Sequence, residues 1–354
     1  MIGTDASTES ALDEGELKAV AAMLAGRGIT TDACIKRVRG GGNNRVFRIE
    51  AGGKTILLKK YFRDDEDSRD RLANEFEFAA FASSHGIAIV PTPLARDIEH
   101  GLALFEFIPG RALGRDEVSV EHVEQALNFC RRLNRLRGEL EAVSLPKASE
   151  ACFSIAEHLL CVDHRVSALK DIEGDSDADE AARAFCRLRL EPAWTLVRSK
   201  VERASTLEGI DVDRELDEHE RVLSPSDFGF HNAIREGGGR LRFVDFEYAG
   251  WDDPAKLVCD FFCQPALPVP GQFFDLFSET LAEDLSDTAQ LPRRIALLRP
   301  VYQIKWCCIM MNMFLPLGRR RRGFAGNEAQ LETIKQGQLR KAEHALALMD
   351  SRIM

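Results

Sequence analysis

The pattern of apolar residues changes character once along the chain, near Pro109-Gly110. Before that point, short runs rich in β-branched and aromatic residues are separated by glycines, which predicts strands joined by tight turns. Gly52-Gly53 predicts a hairpin between two of these strands. After it, apolar residues recur at three- and four-residue intervals, as at Val120, Val123 and Leu127, which predicts helices. We therefore expect an α+β fold with a small antiparallel sheet followed by a larger, mainly helical part.

The chain is predicted to have two lobes and a short N-terminal extension. Its 354 residues, 45% of them hydrophobic, exceed the usual size of one compact domain. Residues 1–29 are predicted to be a helical extension, because their helix-spaced apolar residues end at Gly26. Residues 30–108 form the predicted sheet lobe, which includes one helix, and residues 109–354 form the predicted helical lobe.

Composition excludes several classes of partner. Lys and Arg number 47 and Asp and Glu number 57, giving a formal charge of -10, which argues against nucleic acid or an anionic membrane. No apolar run approaches the roughly 18–20 residues of a membrane span, and the N-terminus lacks a basic, apolar signal peptide. The nine cysteines show no metal-ligand spacing, which is typical of free thiols in a reducing cytoplasm. The acidic segment 171–180 is interpreted as a disordered loop without a role in chemistry. The oligomeric state is not predicted.

A glycine-rich turn lies between two predicted strands and includes Gly41, Gly42, Asn43 and Asn44. P-loops and dinucleotide-binding turns both lead into a helix, so neither motif fits. A glycine hairpin can instead bring backbone amides close to phosphate groups, because no Cβ blocks the approach. The alternative is an ordinary turn.

A lysine and a glutamate are predicted to pair inside the sheet lobe. Strand alternation places Lys59 and Lys60 on opposite faces, so only one of them points inward. On the following helix, Glu75 lies on the apolar face three residues after Leu72, whereas Glu77 is turned away. A buried ammonium requires an anion, and a Lys59–Glu75 pair would supply it. Two solvated charges are the alternative.

The stretch SPSDFGFHNA places Asp227 and Asn232 five positions apart, and Asp245 follows in a predicted strand. Phosphoryl transfer requires a carboxylate that receives the proton of the attacking hydroxyl and oxygen ligands for Mg²⁺. Asp227 is the predicted base, and Asn232 and Asp245, brought close by the hairpin turn EGGGR, are the predicted metal ligands. The alternative is that these residues cap turns or are satisfied buried acids. His231 is interpreted as a bystander.

Taken in order, these motifs resemble the aminoglycoside phosphotransferase family within the protein-kinase-like fold, over residues from about 30 to 315. The matching stretches are GGGNNRVFRI, LLKKY, NEFEF, LFEFIPG, SDFGFHN and FVDFEYAGWDDPAKLVCDF, of which the last two are the most specific. The resemblance implies a bilobal, protein-kinase-like fold. It also implies that the backbone of Glu106, Phe107 and Ile108 binds the nucleotide base.

The function that the resemblance implies is transfer of the γ-phosphate of ATP or GTP, with Mg²⁺, to a hydroxyl of a small acceptor such as a sugar, an amino alcohol or an aminoglycoside. One departure is visible, because Pro225 stands where family members usually have a histidine. An alternative is therefore a pseudokinase that acts as a nucleotide-binding or scaffolding module. A kinase of protein side chains is a third hypothesis, although the segment between Asp245 and Asp253 is short for a peptide-positioning loop.

Acceptor contacts are predicted from the helical lobe at Glu247, Asp252 and Asp260, since an acidic rim suits an amine or a polyol. Trp251 and Trp306 are interpreted as core residues, with apolar walls of the acceptor site as the alternative.

Two segments near these candidates have competing interpretations. Asp252-Asp253-Pro254 is also typical of a cap for a helix beginning at Ala255. The basic run Arg319–Arg322 is interpreted as a solvated face, and a site for an anionic acceptor or a partner contact are the alternatives.

Overall fold

A computed structural model describes residues 2–4, 12–30, 32–38, 43–67, 69–285, 290–326 and 331–353. The described residues divide into two compact units, each formed from more than one segment of the chain. The first unit comprises Met1–Ala112, Ala233–Tyr248 and Arg321–Asn327, and the second comprises Leu113–Asn232, Ala249–Arg320 and Glu328–Met354.

The strands are short. They are β1 Ile2–Thr4, β2 Ala33–Val38, β3 Arg45–Ala51, β4 Lys54–Lys60, β5 Pro93–Asp97, β6 Leu102–Glu106, β7 Arg111–Ala112, β8 Val222–Ser224, β9 Ala233–Arg235, β10 Leu241–Phe243 and β11 Gly250–Asp252.

The first unit is built on a six-stranded sheet in the order β1-β2-β3-β4-β6-β5 and a three-stranded sheet in the order β10-β9-β7. All these pairs are antiparallel except β1, which runs parallel to β2. The predicted hairpin turn joins β3 to β4, where Gly52 and Gly53 adopt φ values of 57° and 73° that favour glycine. Strand β1 lies in the segment that the sequence predicted to be helical. The prediction missed this strand because three residues are too few to show a periodic pattern.

The helices are α1 Glu14–Gly26, α2 Arg71–Ser84, α3 Val120–Asn134, α4 Leu140–Val143, α5 Ile155–Ala168, α6 Asp177–Phe185, α7 Glu191–Glu208, α8 Pro254–Cys263, α9 Phe274–Glu283, α10 Leu291–Met311, α11 Pro316–Phe324 and α12 Leu331–Ile353. A π-helical turn over Cys186–Leu190 joins α6 to α7, and a 3-10 turn over Phe230–Asn232 precedes β9. No described helix has the length and apolar character needed to cross a membrane.

Strand alternation gives the large sheet two buried faces. Leu58 of β4 packs on one face with Val20 and Leu24 of α1. On the other face, Tyr61 and Leu72 belong to a second buried cluster that covers the side of α2. Each fully buried side chain of this size contributes roughly 1.5–3 kcal/mol. Two helices on opposite faces therefore explain why neighbouring residues of β4 point into different environments.

The acidic segment 171–180 is only partly a loop, whereas the sequence predicted an acidic, disordered loop throughout. Its last residues, from Asp177, form the first turn of α6, which Ser176 caps. Asp179 is buried and accepts a 2.7 Å hydrogen bond from Lys335 of α12. The prediction was wrong here because the counter-charge comes from a residue more than 150 positions away.

Asp253 joins three helices of the second unit. Its Oδ1 accepts from the backbone N–H of Ala255, so it caps α8 as the sequence predicted. Its Oδ2 accepts from Nε2 of His158 at 3.0 Å and from Nε of Arg294 at 2.6 Å. Burial would raise the pKa of Asp253, but Arg294 and His158 outweigh burial and lower that pKa to about 2.

We expect Asp253→Asn to lower the free energy of unfolding by roughly 3–5 kcal/mol at neutral pH, because the buried Arg294 loses its counter-charge. Because the pKa of Asp253 is lower in the folded state, its carboxylate stabilises the fold at pH values above the unfolded-state pKa. This stabilisation is lost as the pH falls toward about 2. The difference between wild type and variant should therefore narrow by about 2 kcal/mol between about pH 4 and pH 2. Urea titrations at several pH values measure this, with Asp175→Asn as the exposed control. A difference that does not vary with pH would contradict the assignment.

Candidate active site

The predicted lysine–glutamate pair is present in the first unit. Nζ of Lys59 lies 2.6 Å from Oε2 of Glu75, and both residues are almost fully buried, at 6% and 2% exposure. The same ammonium lies 2.6 Å from Oδ1 of Asp245. Lys60 points to the other face of the sheet and pairs with Glu16 of α1. A single buried ammonium thus joins β4, α2 and the segment after β10.

The charge on Lys59 is fixed by its surroundings. Burial alone would lower the pKa of Lys59, but the carboxylates of Asp245 and Glu75 outweigh burial and raise it. The hydroxyl of Tyr61 donates to Oε2 of Glu75 at 2.6 Å and orients this carboxylate. Lys59 is therefore a permanently charged group that two acids hold in place.

Backbone strain accompanies the position of Asp245. The predicted hairpin is present, since β9 and β10 pair with Ala233 opposite Phe243. The chain enters this hairpin directly after Asn232 and leaves it two residues before Asp245. Asp245 then adopts φ of 70°, which costs a non-glycine residue on the order of 1 kcal/mol or more. The ring of the next residue, Phe246, packs in the core of the first unit and holds this turn.

Of the glycine-rich turn, Gly41 and Gly42 lie outside the described residues. The two asparagines that follow are anchored to Glu247. Nδ2 of Asn44 donates to Oε2 of Glu247 at 2.7 Å, and Nδ2 of Asn43 donates to Oε1 at 3.1 Å. The end of the turn is therefore tied to the segment that carries Asp245.

Glu247 does not lie in the helical part, where the sequence predicted an acceptor ligand. It belongs to the first unit and is 1% exposed, and its carboxylate binds Asn43 and Asn44 and lies 3.8 Å from Nε of Arg71. The location was mispredicted because the residue follows the stretch SDFGFHN in sequence but contacts residues of the first unit. These contacts favour a role in holding the glycine-rich turn.

Asp227 lies in the second unit, on the loop that follows β8. Ser226, the residue before it, adopts φ of 64°, and its carbonyl accepts from the backbone N–H of Phe228 at 2.6 Å. The strained turn leaves the Asp227 side chain about one-third exposed. Nδ2 of Asn232 donates to the Asp227 carbonyl at 2.9 Å, so the amide oxygen of Asn232 is not used in that bond.

His231 is not the bystander that the sequence predicted. Its Nε2 lies 3.2 Å from Oδ1 of Asp227, and the two groups make a hydrogen bond that the charge of the carboxylate strengthens. Burial would raise the pKa of Asp227, but His231, Asn232 and Lys256 together outweigh burial and lower that pKa. A Cβ at Gly229 would lie 2.7 Å from Nδ1 of His231, so glycine leaves room for the ring.

Asp252 and Asp260, the other predicted acceptor ligands, bind a buried lysine that the sequence analysis missed. Nζ of Lys256 lies 2.6 Å from Oδ2 of Asp252 and 3.3 Å from Oδ2 of Asp260, and also donates to the hydroxyl of Ser226 at 3.2 Å. Burial raises the pKa of Asp252 to about 6. The spacing of four residues on each side of Lys256 was the available signal.

Trp306 belongs to the same network, because its indole N–H donates to Oδ1 of Asp260 at 2.9 Å. The indole N–H of Trp251 donates to the carbonyl of Ala142. Both tryptophans are partly buried and use their polar atom inside the second unit.

The segment predicted to bind the nucleotide base begins at Glu106, the last residue of β6 in the first unit. The backbone N–H of Glu106 donates to the carbonyl of Thr92, and its carboxylate accepts from Arg242 at 2.8 Å. The guanidinium of Arg48 lies 5.2 Å from the centre of the Phe107 ring, and Ile108 is buried. The side chains of Glu106 and Phe107 thus hold this segment in place.

The predicted site residues thus form separate groups within each unit. Lys59, Glu75 and Asp245 are in contact within the first unit, as are Asn43, Asn44 and Glu247. Asp227 contacts Asn232 within the second unit. The Lys59 group holds a charged ammonium beside acids, and the Asp227 group presents a partly exposed carboxylate. Groups of both kinds are used in phosphoryl transfer.

A family model described as "Phosphotransferase enzyme family" matches residues 35–297. This match covers well over half of the sequence, and the chain belongs to that family. The predicted enzyme class, a phosphotransferase, is confirmed. Comparison with curated protein sequences finds no significant match.

Solved structures with the same fold include three with different named acceptors. A spectinomycin phosphotransferase in complex with ADP and spectinomycin gives a TM-score of 0.61 at 12% identity, covering 93% of this chain and 98% of that one. The choline kinase LicA from Streptococcus pneumoniae gives a TM-score of 0.53 at 16% identity, covering 93% of this chain and 98% of that one. The macrolide 2'-phosphotransferase MphH from Brachybacterium faecium gives a TM-score of 0.53 at 16% identity, covering 87% of this chain and 97% of that one. The predicted fold class is confirmed.

The contacts of Glu247 separate a structural role from acceptor binding. We expect Glu247→Ala to lower the free energy of unfolding by roughly 3 kcal/mol, because Arg71, Asn43 and Asn44 lose a buried partner. Urea denaturation measures the change. Asp65→Ala, in an exposed turn of the same unit, is the control. A stable Glu247→Ala protein whose only defect is a raised KM for the acceptor would support the acceptor role instead.

Proposed function

We propose that this phosphotransferase transfers the γ-phosphate of ATP or GTP to a hydroxyl of a small acceptor. The observation that carries the proposal is the Lys59 ammonium held between Glu75 and Asp245, because a buried, oriented cation of this kind suits phosphate oxygens. Family membership supports the reaction class. The acceptor class is a sugar, an amino alcohol or an aminoglycoside-like compound.

The nucleotide is bound by the first unit in this proposal. Lys59 pairs with phosphate oxygens while Glu75 holds it. The glycine-rich turn at Gly41 and Gly42, together with Asn43 and Asn44, covers the phosphates with backbone amides. The backbone of Glu106, Phe107 and Ile108 binds the base. The ADP named with the spectinomycin phosphotransferase structure is consistent with a nucleotide donor.

The residues predicted to bind magnesium have suitable ligand atoms. Mg²⁺ binds oxygen, and the amide oxygen of Asn232 and the carboxylate of Asp245 are of that type. Lys59 contacts Oδ1 of Asp245, and the amide nitrogen of Asn232 is the atom that binds the Asp227 carbonyl. When bound, the ion would neutralise charge on the phosphate oxygens.

Asp227 acts as the base. Its pKa is lowered, so the carboxylate is ionised at neutral pH and accepts a hydrogen bond from the acceptor hydroxyl. As the acceptor oxygen forms a bond to the γ-phosphorus, the bond between that phosphorus and the bridging oxygen of the nucleoside diphosphate breaks. The hydroxyl proton passes to Asp227, and the products are a phosphate monoester and the nucleoside diphosphate.

The loop that carries Asp227 is held by two side chains in place of the histidine that Pro225 replaces. His231 contacts the carboxylate itself, and Lys256 contacts the hydroxyl of Ser226. Asp252 and Asp260 keep Lys256 charged and positioned, so we assign them to loop support. The pseudokinase alternative rests on Pro225 alone, and these two contacts weigh against it.

Asp227→Ala should lower kcat by about 10²–10⁴-fold, because it removes the group that accepts the proton. Nucleotide affinity should remain unchanged, since the proposed nucleotide contacts lie in the first unit. The measurement is acceptor-dependent ADP or GDP release over a panel of sugars, amino alcohols and aminoglycosides, with Asp175→Asn as the control. Full turnover by purified Asp227→Ala would refute the base assignment, and nucleotide binding without turnover by the wild type would favour the pseudokinase.

His231 is proposed as a positioning residue for Asp227. His231→Leu should lower kcat about tenfold, the effect of losing one hydrogen bond to a charged group, without changing KM for the nucleotide. His231→Gln retains an N–H donor and should recover part of the loss. Equal kcat values for the Leu and Gln variants would show that the ring acts through packing.

A further inference from the structure

Three guanidinium groups converge on one carboxylate in the first unit. Asp67, on the loop between β4 and α2, accepts from Nε of Arg69 at 2.6 Å, from Arg71 of α2, and from Arg321 of α11 at 3.0 Å. The Asp67 side chain is 3% exposed, and that of Arg71 is 1% exposed. We refer to Asp67, Arg69, Arg71 and Arg321 as the arginine cluster.

The positive charge of the arginine cluster exceeds the negative charge around it. Three cations face Asp67. A second carboxylate, that of Glu247, lies 3.8 Å from Nε of Arg71 but also accepts from Asn43 and Asn44. Buried charges are normally paired, because an uncompensated cation in a low-dielectric setting is costly. Burial lowers the pKa of Arg321, Arg71 and Arg69 lower it further, and Tyr248 and Asp67 offset only part of this lowering. The cluster therefore favours an additional anion.

Two hydrogen-bond donors of the cluster are unused. Nε of Arg71 and Nε of Arg321 are both buried and have no hydrogen-bond partner within the part of the chain that the structure describes. A buried donor without a partner is uncommon and costs free energy. Two of the three arginines around one carboxylate therefore keep a donor that a further acceptor could satisfy, so their ion-pair network is incomplete.

Aromatic rings hold the guanidiniums in fixed orientations. The Cζ atoms of Arg71 and Arg321 lie 5.9 and 5.8 Å from the centre of the Phe62 ring. Those of Arg69 and Arg71 lie 5.5 and 5.8 Å from the centre of the Tyr248 ring. Planar guanidiniums fixed in this way present N–H pairs in a geometry that matches the oxygens of a phosphate group.

We propose that the arginine cluster is an oxyanion-binding site that takes the phosphate group of a small molecule. Asp67 supplies part of the counter-charge, and the phosphate oxygens accept from the arginine donors that Asp67 leaves unused. The basic run 319–322 thus has two different parts, because Arg319 binds the carbonyl of Glu173 in the second unit while Arg321 belongs to this site. The site goes beyond the transfer reaction and does not depend on it.

Calorimetric titration with inorganic phosphate tests the site. Ionic strength is kept constant with sodium chloride, and the full-length chain is used. Wild type should bind phosphate saturably at one site, and Arg321→Gln should weaken the dissociation constant at least about tenfold, the effect of losing a charged hydrogen bond. The matched control is Arg319→Gln, two residues earlier on the same helix, which should bind as wild type does. No saturable binding by wild type, or equal weakening by both variants, would overturn the proposal.

Asp67→Asn gives a second, independent readout. This substitution removes the competing carboxylate while preserving its size, so phosphate should bind more tightly than to wild type. The same variant should unfold at a lower temperature in chloride and regain stability when phosphate is added. If Asp67→Asn binds phosphate more weakly than wild type does, or is destabilised without recovery in phosphate, the cluster is a structural network and the proposal is wrong.

The source of the phosphate group is distinguished by two further measurements on Arg321→Gln. An unchanged affinity for ADP or GDP separates this site from the nucleotide phosphates, and an equal loss of nucleotide affinity would overturn a separate site. Acceptor compounds are then compared in pairs with and without a phosphate group. A KM raised only for the phosphorylated member identifies the acceptor as the source, and unchanged KM values with weakened inorganic phosphate binding identify free phosphate.

Discussion

The two ion pairs of the Lys59 ammonium join three separate segments of the first unit. A buried cation is tolerated only beside an anion, and here two carboxylates from different elements, Glu75 of α2 and Asp245 after β10, supply that charge. These two ion pairs connect α2 and the segment after β10 to strand β4. The group is therefore both a structural joint and the charged centre that the proposed reaction uses, so its loss would affect stability and phosphate binding together.

Strain is found beside the two acids to which we assign chemistry. Ser226 and Asp245 both have positive φ values, which non-glycine residues rarely adopt unless surrounding contacts hold them. The contacts that hold them are visible, because Lys256 binds the hydroxyl of Ser226 and Lys59 binds the carboxylate of Asp245. A lysine thus stabilises each strained turn, and each lysine is itself held by a glutamate or aspartate on a helix.

Local patterns predicted much of the fold and part of the site. Period-two alternation identified the face of Lys59, and helical spacing identified Glu75 as its partner, because both signals lie within a few residues of the group concerned. What local patterns could not predict are contacts between distant segments. The sequence placed Glu247 in the wrong part of the molecule and Asp179 in a disordered acidic loop, because their partners are set by tertiary packing. His231 was dismissed because a single loop histidine carries no periodic or motif signal of its own.

The position of His231 changes the meaning of the proline at 225. If the loop required a histidine before Asp227, its replacement would argue for a lost activity. The requirement is physical, however, since the carboxylate needs a hydrogen-bond donor and the turn needs an anchor, and neither depends on where in the sequence the donor lies. Here the donor is four residues after Asp227, in space that Gly229 leaves open, and the anchor is Lys256 on α8. Proline then restricts the chain before a strained serine that is already held from its side chain, and this supports the proposal that the loop positions Asp227 without that histidine.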